Sequence, residues 1–119
     1  MIGIDIVSIE RIEKMLQKFG NKALQRYLNE SEINIVTSTQ TAAGFWAAKE
    51  AFSKALGVGI GKECSFLDIE IVKNKKGKPY FAPTTIRKFN LKYADLSISH
   101  DGGFAIAAVI ISKDTYDFD

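Results

Sequence analysis

Glu50 and Lys54 stand one helical turn apart in the stretch best suited to a long helix. On a helical wheel they share a face with two small residues, Ala43 and Ala47, which let a ligand or another backbone approach closely. An acid beside a base at such a place could bind a metal ion and a phosphate. The same spacing also fits an exposed ion pair on a solvated surface, worth about 0.3–0.5 kcal/mol. The pattern alone leaves both interpretations open.

Asp5 offers a second carboxylate near the start of the chain. It interrupts the apolar run from Met1 to Ile6, which predicts a buried strand with an acid at its end. Ionisable groups are uncommon inside apolar strands, and a buried one must be paired or bind a metal. Alternatively, Asp5 caps the turn before Ser8. Neither carboxylate alone specifies a metal site.

His100 is the only histidine, and it ends the segment Leu-Ser-Ile-Ser-His before a tight turn. This predicts a position at the exposed end of a strand, where Ser99 and His100 could both bond to phosphate oxygens. A lone histidine also serves many structural roles, so that interpretation stays open. A serine–histidine hydrolase is disfavoured, because neighbouring strand residues point to opposite faces and do not easily bond to each other.

Three glycines, Gly57, Gly59 and Gly61, follow the predicted long helix. Their backbone amides could surround phosphates, but they stand at the C-terminal end of the helix, where the dipole has the wrong sign for an anion. The segment is therefore neither a P-loop nor a dinucleotide fingerprint. We expect Gly57 to end the helix and the other two to form a flexible loop.

Basic side chains form a stripe along the first predicted helix, at Arg11, Lys14 and Lys18, with Met15 on its border. A solvated face is the simplest interpretation of such a stripe. A methionine, however, adapts to a partner's apolar groove, and a basic surface beside it suits an acidic partner helix. The stripe is therefore a candidate docking surface.

The elements that position these residues follow from hydrophobic spacing and from signals at their ends. Their predicted order gives an α+β fold, with helices packed on a mostly antiparallel sheet. Residues 1–119 contain no repeat and no linker, and are predicted to form one domain. The predicted segments are a strand at 1–6, helices opened by Ser8, near 23–28, opened by Asn29 and at 41–56, a strand through Leu67, Ile69 and Ile71, a hairpin turn at 74–78 leading into Tyr80 and Phe81, a helix at 85–92, and strands at 96–99 and 104–111.

Composition narrows the classes of function. The net charge of +2 is too mild to indicate nucleic acid, and Phe45 and Phe52 belong to the apolar stripe of the long helix rather than to a basic RNA-binding surface. One cysteine, Cys64, excludes an intrachain disulfide and a zinc site built from thiolates. Charged side chains interrupt the first residues, so we expect no signal peptide, no membrane contact and a cytoplasmic location.

Three segments together resemble the holo-acyl-carrier-protein synthase family, which has the 4′-phosphopantetheinyl transferase fold. The most specific segment is the block WAAKEAFSKALG, from Trp46 to Gly57. The others are Gly3 to Val7, followed by Glu-Arg-Ile, and Ser97 to His100. The resemblance covers nearly the full chain in order and spacing.

This resemblance implies transfer of 4′-phosphopantetheine from coenzyme A to a serine of acyl carrier protein, with release of adenosine 3′,5′-bisphosphate, in fatty acid biosynthesis. It also implies Mg²⁺ and a homotrimer with sites between subunits. The serine proton goes either to Glu50 or to a metal-bound water. A noncatalytic coenzyme A-binding module of the same fold is the alternative.

The resemblance also implies roles for individual residues by their position. Catalysis is assigned to Asp5, Glu50 and Lys54, and metal binding to Asp5 and Glu50. The expected coenzyme A contacts are Lys49, Ser53, Lys54, Gly57, Ser99 and His100, and the expected carrier contacts are Arg11, Met15 and Lys18.

The sequence departs from the family pattern at two positions. Phe45 stands where many members have an arginine, so one contact to a coenzyme A phosphate is expected to be missing or replaced. Val7 stands where the larger two-lobed transferases have a third acid, which favours the small, homotrimeric kind.

Overall fold

The structure is a computed structural model that describes residues 1–113. The part of the predicted domain beyond this range lies outside the description, and the single domain stays a prediction. No helix within residues 1–113 is long and apolar enough to cross a bilayer. The elements are β1 (Ile2–Ser8), α1 (Ile9–Phe19), α2 (Asn21–Gln25), α3 (Glu30–Ile33), α4 (Thr39–Ala55), β2 (Ile71–Lys73), β3 (Pro79–Phe81), α5 (Pro83–Lys88), β4 (Tyr93–Asp101) and β5 (Phe104–Ser112).

The sheet that carries the site has three antiparallel strands in the order β1-β5-β4, and α4 packs on one face of it. Alternate residues of β5, from Ala105 to Ile111, are buried on that face. Strands β2 and β3 form a separate antiparallel pair. The predicted α+β fold, with helices on an antiparallel sheet, is confirmed.

Helix α4 approaches β1 very closely at Gly3. A Cβ atom at this glycine would lie 1.9 Å from the backbone oxygen of Ala51 and 2.7 Å from the backbone nitrogen of Ala55. No side chain fits there, because both atoms belong to the helix backbone. This contact sets the C-terminal half of α4 directly over the strand that carries Asp5.

The opposite face of the three-stranded sheet, here called the outer sheet face, is apolar and exposed. Strand β1 alternates buried residues with Ile2, Ile4 and Ile6, which are 71%, 59% and 60% exposed. The expectation of a buried first strand was therefore wrong for these residues, because no element within residues 1–113 covers that side. The outer sheet face contains Ile2, Ile4, Ile6, Tyr93, Phe104, Ile106 and Ile110.

The helix ends largely follow the predicted signals. Ser8 caps α1 and Gly20 ends it, as the spacing predicted. Asn29 and Glu32 form the expected capping box at α3. Helices α2 and α4 each begin two residues earlier than predicted, α4 because Ser38 caps it.

The strand predicted through Leu67, Ile69 and Ile71 is wrong in its first half. One turn of 3₁₀ helix precedes β2, which starts only at Ile71. Ser65 and Asp68 cap this turn reciprocally, and the Ser65 backbone nitrogen donates to Asp68 Oδ2 at 2.9 Å. Local capping therefore prevails over the alternating apolar pattern.

The hairpin turn at 74–78 is confirmed, with β2 and β3 paired around it. Asn74 holds the turn, because its side-chain oxygen accepts hydrogen bonds from two backbone nitrogens, both at 2.9 Å. The helix predicted at 85–92 is α5, which begins two residues earlier, at Pro83, and ends at Lys88. Asn90 then turns the chain with a φ of 54°.

Candidate active site

Asp5 and Lys54 meet at the edge of the sheet that β1 forms. The Lys54 Nζ donates hydrogen bonds to Asp5 Oδ1 at 2.9 Å and to the backbone oxygen of Ile4 at 3.2 Å. The Asp5 side chain is 15% exposed and that of Lys54 is 52% exposed, so the ion pair lies at the boundary between protein and solvent. The close approach of α4 at Gly3 brings together two residues that are 49 positions apart in the chain.

Glu50 lies one helical turn before Lys54 and close enough to Asp5 to be affected by its charge. Burial raises the pKa of the Glu50 carboxyl, and the Asp5 carboxylate raises that pKa further, while Lys54 and Arg11 oppose the shift. Within residues 1–113, no basic side chain lies within ion-pair distance of Glu50. The surplus negative charge of the two acids therefore favours a bound metal ion.

The carboxylate oxygens at this site are of the kind that Mg²⁺ prefers. Mg²⁺ in proteins is usually bound by one or two carboxylates, and waters and substrate phosphates complete its coordination. Asp5 and Glu50 supply two carboxylates, and residues 1–113 contain no group of three metal-ligating side chains that would enclose an ion. The acid pair therefore suits a metal shared with a phosphorylated substrate, and does not suit a closed structural metal site.

His100 does not reach the acid pair within one chain. Asp5 pairs with Ala107 on β5, which pairs with Ile98 on β4, so β4 lies two strands away. With strands about 4.8 Å apart and His100 two residues beyond Ile98, the Cα atoms of Asp5 and His100 are separated by about 12 Å. His100 is exposed near the end of β4, as predicted. Within one chain, His100 and the acid pair are therefore separate.

Ser99 points to the other side of the sheet from His100. In the register of β4 and β5, Ser99 pairs with Ile106 of the outer sheet face, while His100 pairs with buried Ala105. The two side chains therefore do not face one ligand from within a single chain, because neighbouring strand residues point to opposite faces. The contact of each residue with coenzyme A stays a prediction.

Lys49, an expected coenzyme A contact, is fully buried in the core. Its Nζ donates to Glu32 Oε1 and to the backbone oxygen of Tyr27, both at 2.7 Å, and to the backbone oxygen of Phe66 at 3.0 Å. Burial lowers the pKa of Lys49, and Glu32 counteracts that shift. The three bonds use every donor of the ammonium group, so the expected contact with coenzyme A is corrected to a structural role.

Ser53 and Gly57 have structural roles near the C-terminal end of α4. The buried Ser53 hydroxyl donates to the backbone oxygen of Glu50 at 2.6 Å, so its expected contact with coenzyme A is also corrected. Gly57 adopts a φ of 84°, and its nitrogen donates to the Lys54 carbonyl at 2.9 Å. It ends the helix as predicted, and its contact with coenzyme A stays a prediction.

Glu32 is a structural residue whose main partner the sequence analysis missed. Its carboxylate accepts hydrogen bonds from the backbone nitrogens of Asn29 at 2.7 Å and Ile71 at 2.8 Å, besides the bond from Lys49. It therefore ties α3, α4 and β2 together. The capping box identified its contact with Asn29, but nothing local signals a partner 17 residues away on α4.

We expect Lys49→Met to destabilise the fold by about 3–5 kcal/mol, because it leaves the Glu32 carboxylate buried without its cation. Chemical denaturation measures this loss in the free energy of unfolding. Adding Glu32→Gln to the same chain should recover part of the loss, and the coenzyme A affinity of the folded protein should not change. A stable Lys49→Met variant that binds coenzyme A weakly would restore the original assignment.

The basic stripe of α1 lies beside the acid pair. The Arg11 guanidinium lies over the Trp46 ring, 5.5 Å from its centroid, and its charge also affects Glu50. Met15 is half-buried against the core, and Lys18 is exposed. The expected carrier contacts therefore share one helix face next to the acids.

This fold, with its paired acids beside a lysine, has a counterpart in a known class of transferases. A family model for the 4′-phosphopantetheinyl transferase superfamily matches residues 1–109. That range includes the acid pair, the basic stripe and His100. The class is thus the one that the sequence segments resembled.

The relatives within this class are holo-[acyl-carrier-protein] synthases. The one from Nautilia profundicola is 74% identical over 113 residues, which cover 95% of this chain and 100% of the relative. The one from Campylobacter fetus subsp. fetus is 57% identical, over 95% of this chain and 100% of the relative. The crystal structure of the Helicobacter pylori enzyme in complex with coenzyme A has a TM-score of 0.87 and 53% identity, over 94% of this chain and 100% of that chain. The chain belongs to this family of phosphopantetheinyl transferase enzymes.

Proposed function

We propose that this chain transfers 4′-phosphopantetheine from coenzyme A to a serine of apo-acyl carrier protein, releases adenosine 3′,5′-bisphosphate and supports fatty acid biosynthesis in the cytoplasm. The observation that carries the proposal is the acid pair of Asp5 and Glu50, with Lys54 beside it at the edge of the sheet. The Helicobacter pylori relative in complex with coenzyme A supports the same donor.

In this reaction Asp5 and Glu50 would hold Mg²⁺, which would supply positive charge to neutralise the pyrophosphate of coenzyme A. Lys54 orients the phosphates and stabilises charge on the leaving group, since its ammonium is half-exposed beside Asp5. Either Glu50 or a water molecule would accept the proton of the serine hydroxyl.

The proposed assembly is a homotrimer with sites between subunits. Support comes from the outer sheet face, because exposed apolar patches of this kind typically mark protein interfaces. A depression that adjoins the acid pair is lined by Asp5 and Lys54 together with Ile4 and Ile6 of the outer sheet face. A second copy packed on this face would therefore border the acids and could contribute its own His100.

Carrier docking is proposed for Arg11 and Lys18 of the basic stripe together with Met15 on its border. Reversing one charge, with Arg11→Glu, should raise the KM for apo-carrier at least about tenfold, far more than it changes coenzyme A affinity, because an exposed charge on α1 steers the acidic carrier. Steady-state kinetics and calorimetry measure the two effects separately. Lys92→Glu, at an exposed position just before β4, is the matched control. An equal loss of coenzyme A affinity would assign the stripe to the donor site instead.

Transfer itself is tested by incubating the protein with apo-carrier, coenzyme A and Mg²⁺ and following the mass of the carrier. The expected result is addition of phosphopantetheine that depends on Mg²⁺ and is accompanied by adenosine 3′,5′-bisphosphate. A noncatalytic module would bind coenzyme A and leave the carrier mass unchanged, which would overturn the proposal.

A further inference from the structure

Trp46 and Arg11 form a contact that joins α4 to the basic stripe of α1. The Arg11 guanidinium lies 5.5 Å from the centroid of the indole ring, within the range of a cation–π interaction. Trp46 is the only tryptophan of the chain and is half-buried, while Arg11 is exposed. Trp46 also lies one helical turn before Glu50 on α4. The ring therefore holds an exposed charge of α1 near the acid pair.

The Trp46 ring is itself held by two aromatic neighbours. Tyr27 meets it edge to face with 5.0 Å between the ring centroids, and Phe66 packs on it at 4.7 Å. Both neighbours are anchored, because the buried Lys49 Nζ donates hydrogen bonds to the backbone oxygens of Tyr27 and Phe66. The Tyr27 hydroxyl also donates to the backbone oxygen of Ala42 at 3.0 Å. The indole is thus a rigid support for the side chain that lies over it.

Arg11 is held by this ring without being paired to an acid. Within residues 1–113 it forms no ion pair, whereas Lys14, on the same stripe, pairs with Glu10 of its own helix at 2.9 Å. An aromatic ring can restrain a guanidinium while its fork of N–H donors stays open to a carboxylate. Restraint before binding also reduces the conformational entropy that a long side chain loses when it docks. Arg11 is therefore both oriented and available to an acidic partner.

We infer that Trp46 is a positioning residue, which holds Arg11 in the orientation that binds an acidic side chain of the carrier. The inference rests on the proposed function, which makes the acidic carrier a substrate. The support under Arg11 belongs to α4, the helix that also carries Glu50 and Lys54. A carrier bound by Arg11 is therefore aligned with the helix that carries the reacting groups. Trp46 acts through Arg11 and does not itself bind the carrier.

A double-mutant cycle between Trp46 and Arg11 tests this role. Trp46→Leu should raise the KM for apo-carrier about 3- to 10-fold and change kcat much less, because it removes the cation–π contact and frees the guanidinium. Trp46→Phe keeps an aromatic face and should raise the KM less. In an Arg11→Met chain, neither change at Trp46 should raise the KM further, since the ring then has no charge to position. Losses that add in the double variants would mean that Trp46 acts independently of Arg11, which would overturn the inference.

Fluorescence of the single tryptophan tests the contact without carrier, coenzyme A or turnover. Arg11→Ala uncovers the indole, so acrylamide should quench its emission more strongly than in the unaltered protein. Lys14→Ala removes another exposed charge of the same stripe, and as the matched control it should leave the quenching unchanged. Equal quenching in Arg11→Ala and the unaltered protein would contradict the contact and with it the inference.

The positioning role and the proposed function fail in different ways. Normal carrier modification with additive losses refutes the positioning role alone. A carrier whose mass never changes refutes the proposed function and the role towards the carrier, while stronger quenching in Arg11→Ala would still establish the contact with Trp46. Thermal unfolding verifies that each variant is folded, and the cycle with Trp46→Phe decides the question if Trp46→Leu does not fold.

Discussion

Glu50→Gln should lower the rate of carrier modification at least about 100-fold while the protein stays folded. The substitution keeps the size of the side chain and removes one of the two negative charges proposed to hold Mg²⁺. Loss of groups that merely orient metal ligands costs about 10- to 100-fold in activity, so loss of a ligand should exceed that range. Carrier mass, followed over a series of Mg²⁺ concentrations, gives the rate. Substantial turnover at ordinary Mg²⁺ would refute the ligand assignment.

The same substitution has an expected effect on stability. Burial and Asp5 raise the pKa of Glu50, so the fold favours its protonated form and this contribution to stability is lost as the pH rises through the folded-state pKa. At neutral pH a glutamine removes that cost, and Glu50→Gln should melt at or above the temperature of the unaltered protein without metal. Mg²⁺ should raise the melting temperature of the unaltered protein and not that of Glu50→Gln. Glu63→Gln, at an exposed position after α4, is the control. It should melt like the unaltered protein without metal and should be stabilised by Mg²⁺ to the same extent.

The shared helical face of Glu50 and Lys54 could be predicted because it depends only on spacing along α4. The position of the second acid depends on where α4 crosses β1, and the missing side chain of Gly3 sets that crossing. No local sequence pattern predicts which strand a helix will pack against. The role of Asp5 was therefore reached through the family resemblance, not through the spacing of its neighbours.

Lys49 illustrates why membership of a specific sequence block does not imply contact with a ligand. It directly precedes Glu50, but neighbouring helix positions differ by about 100° around the axis. Lys49 therefore points into the core, where Glu32 accepts its hydrogen bond at 2.7 Å. A buried ion pair between distant segments leaves no local sequence signal, so burial had to be observed.

The outer sheet face could be predicted as apolar but not as exposed. Alternation along β1 indicates which residues share a face, and burial of that face requires a second layer that residues 1–113 do not supply. His100 and the acid pair are also apart within one chain, because the Cα atoms of Asp5 and His100 are separated by about 12 Å across the sheet. Another copy of the chain packed on the outer sheet face would bury its apolar residues and could bring a second His100 to the acid pair.

Mixing two inactive variants should then restore about one quarter of the normal activity. Glu50→Gln chains keep His100, and His100→Ala chains keep the acids. In a cyclic trimer each interface joins the acids of one chain to His100 of its neighbour, so random equal mixing leaves about one interface in four intact. The chains are dissociated, reassociated together and assayed by carrier mass, with each variant alone as the baseline.

The matched control for this mixture is Glu50→Gln with Asp5→Asn. No chain in the control has an intact acid pair, so its activity should remain at the baseline, whatever the assembly. Mass spectrometry of the intact assemblies must detect mixed trimers in both mixtures. If mixed trimers form and the first mixture stays inactive, the acids and His100 act within one chain, and the site shared between subunits is contradicted.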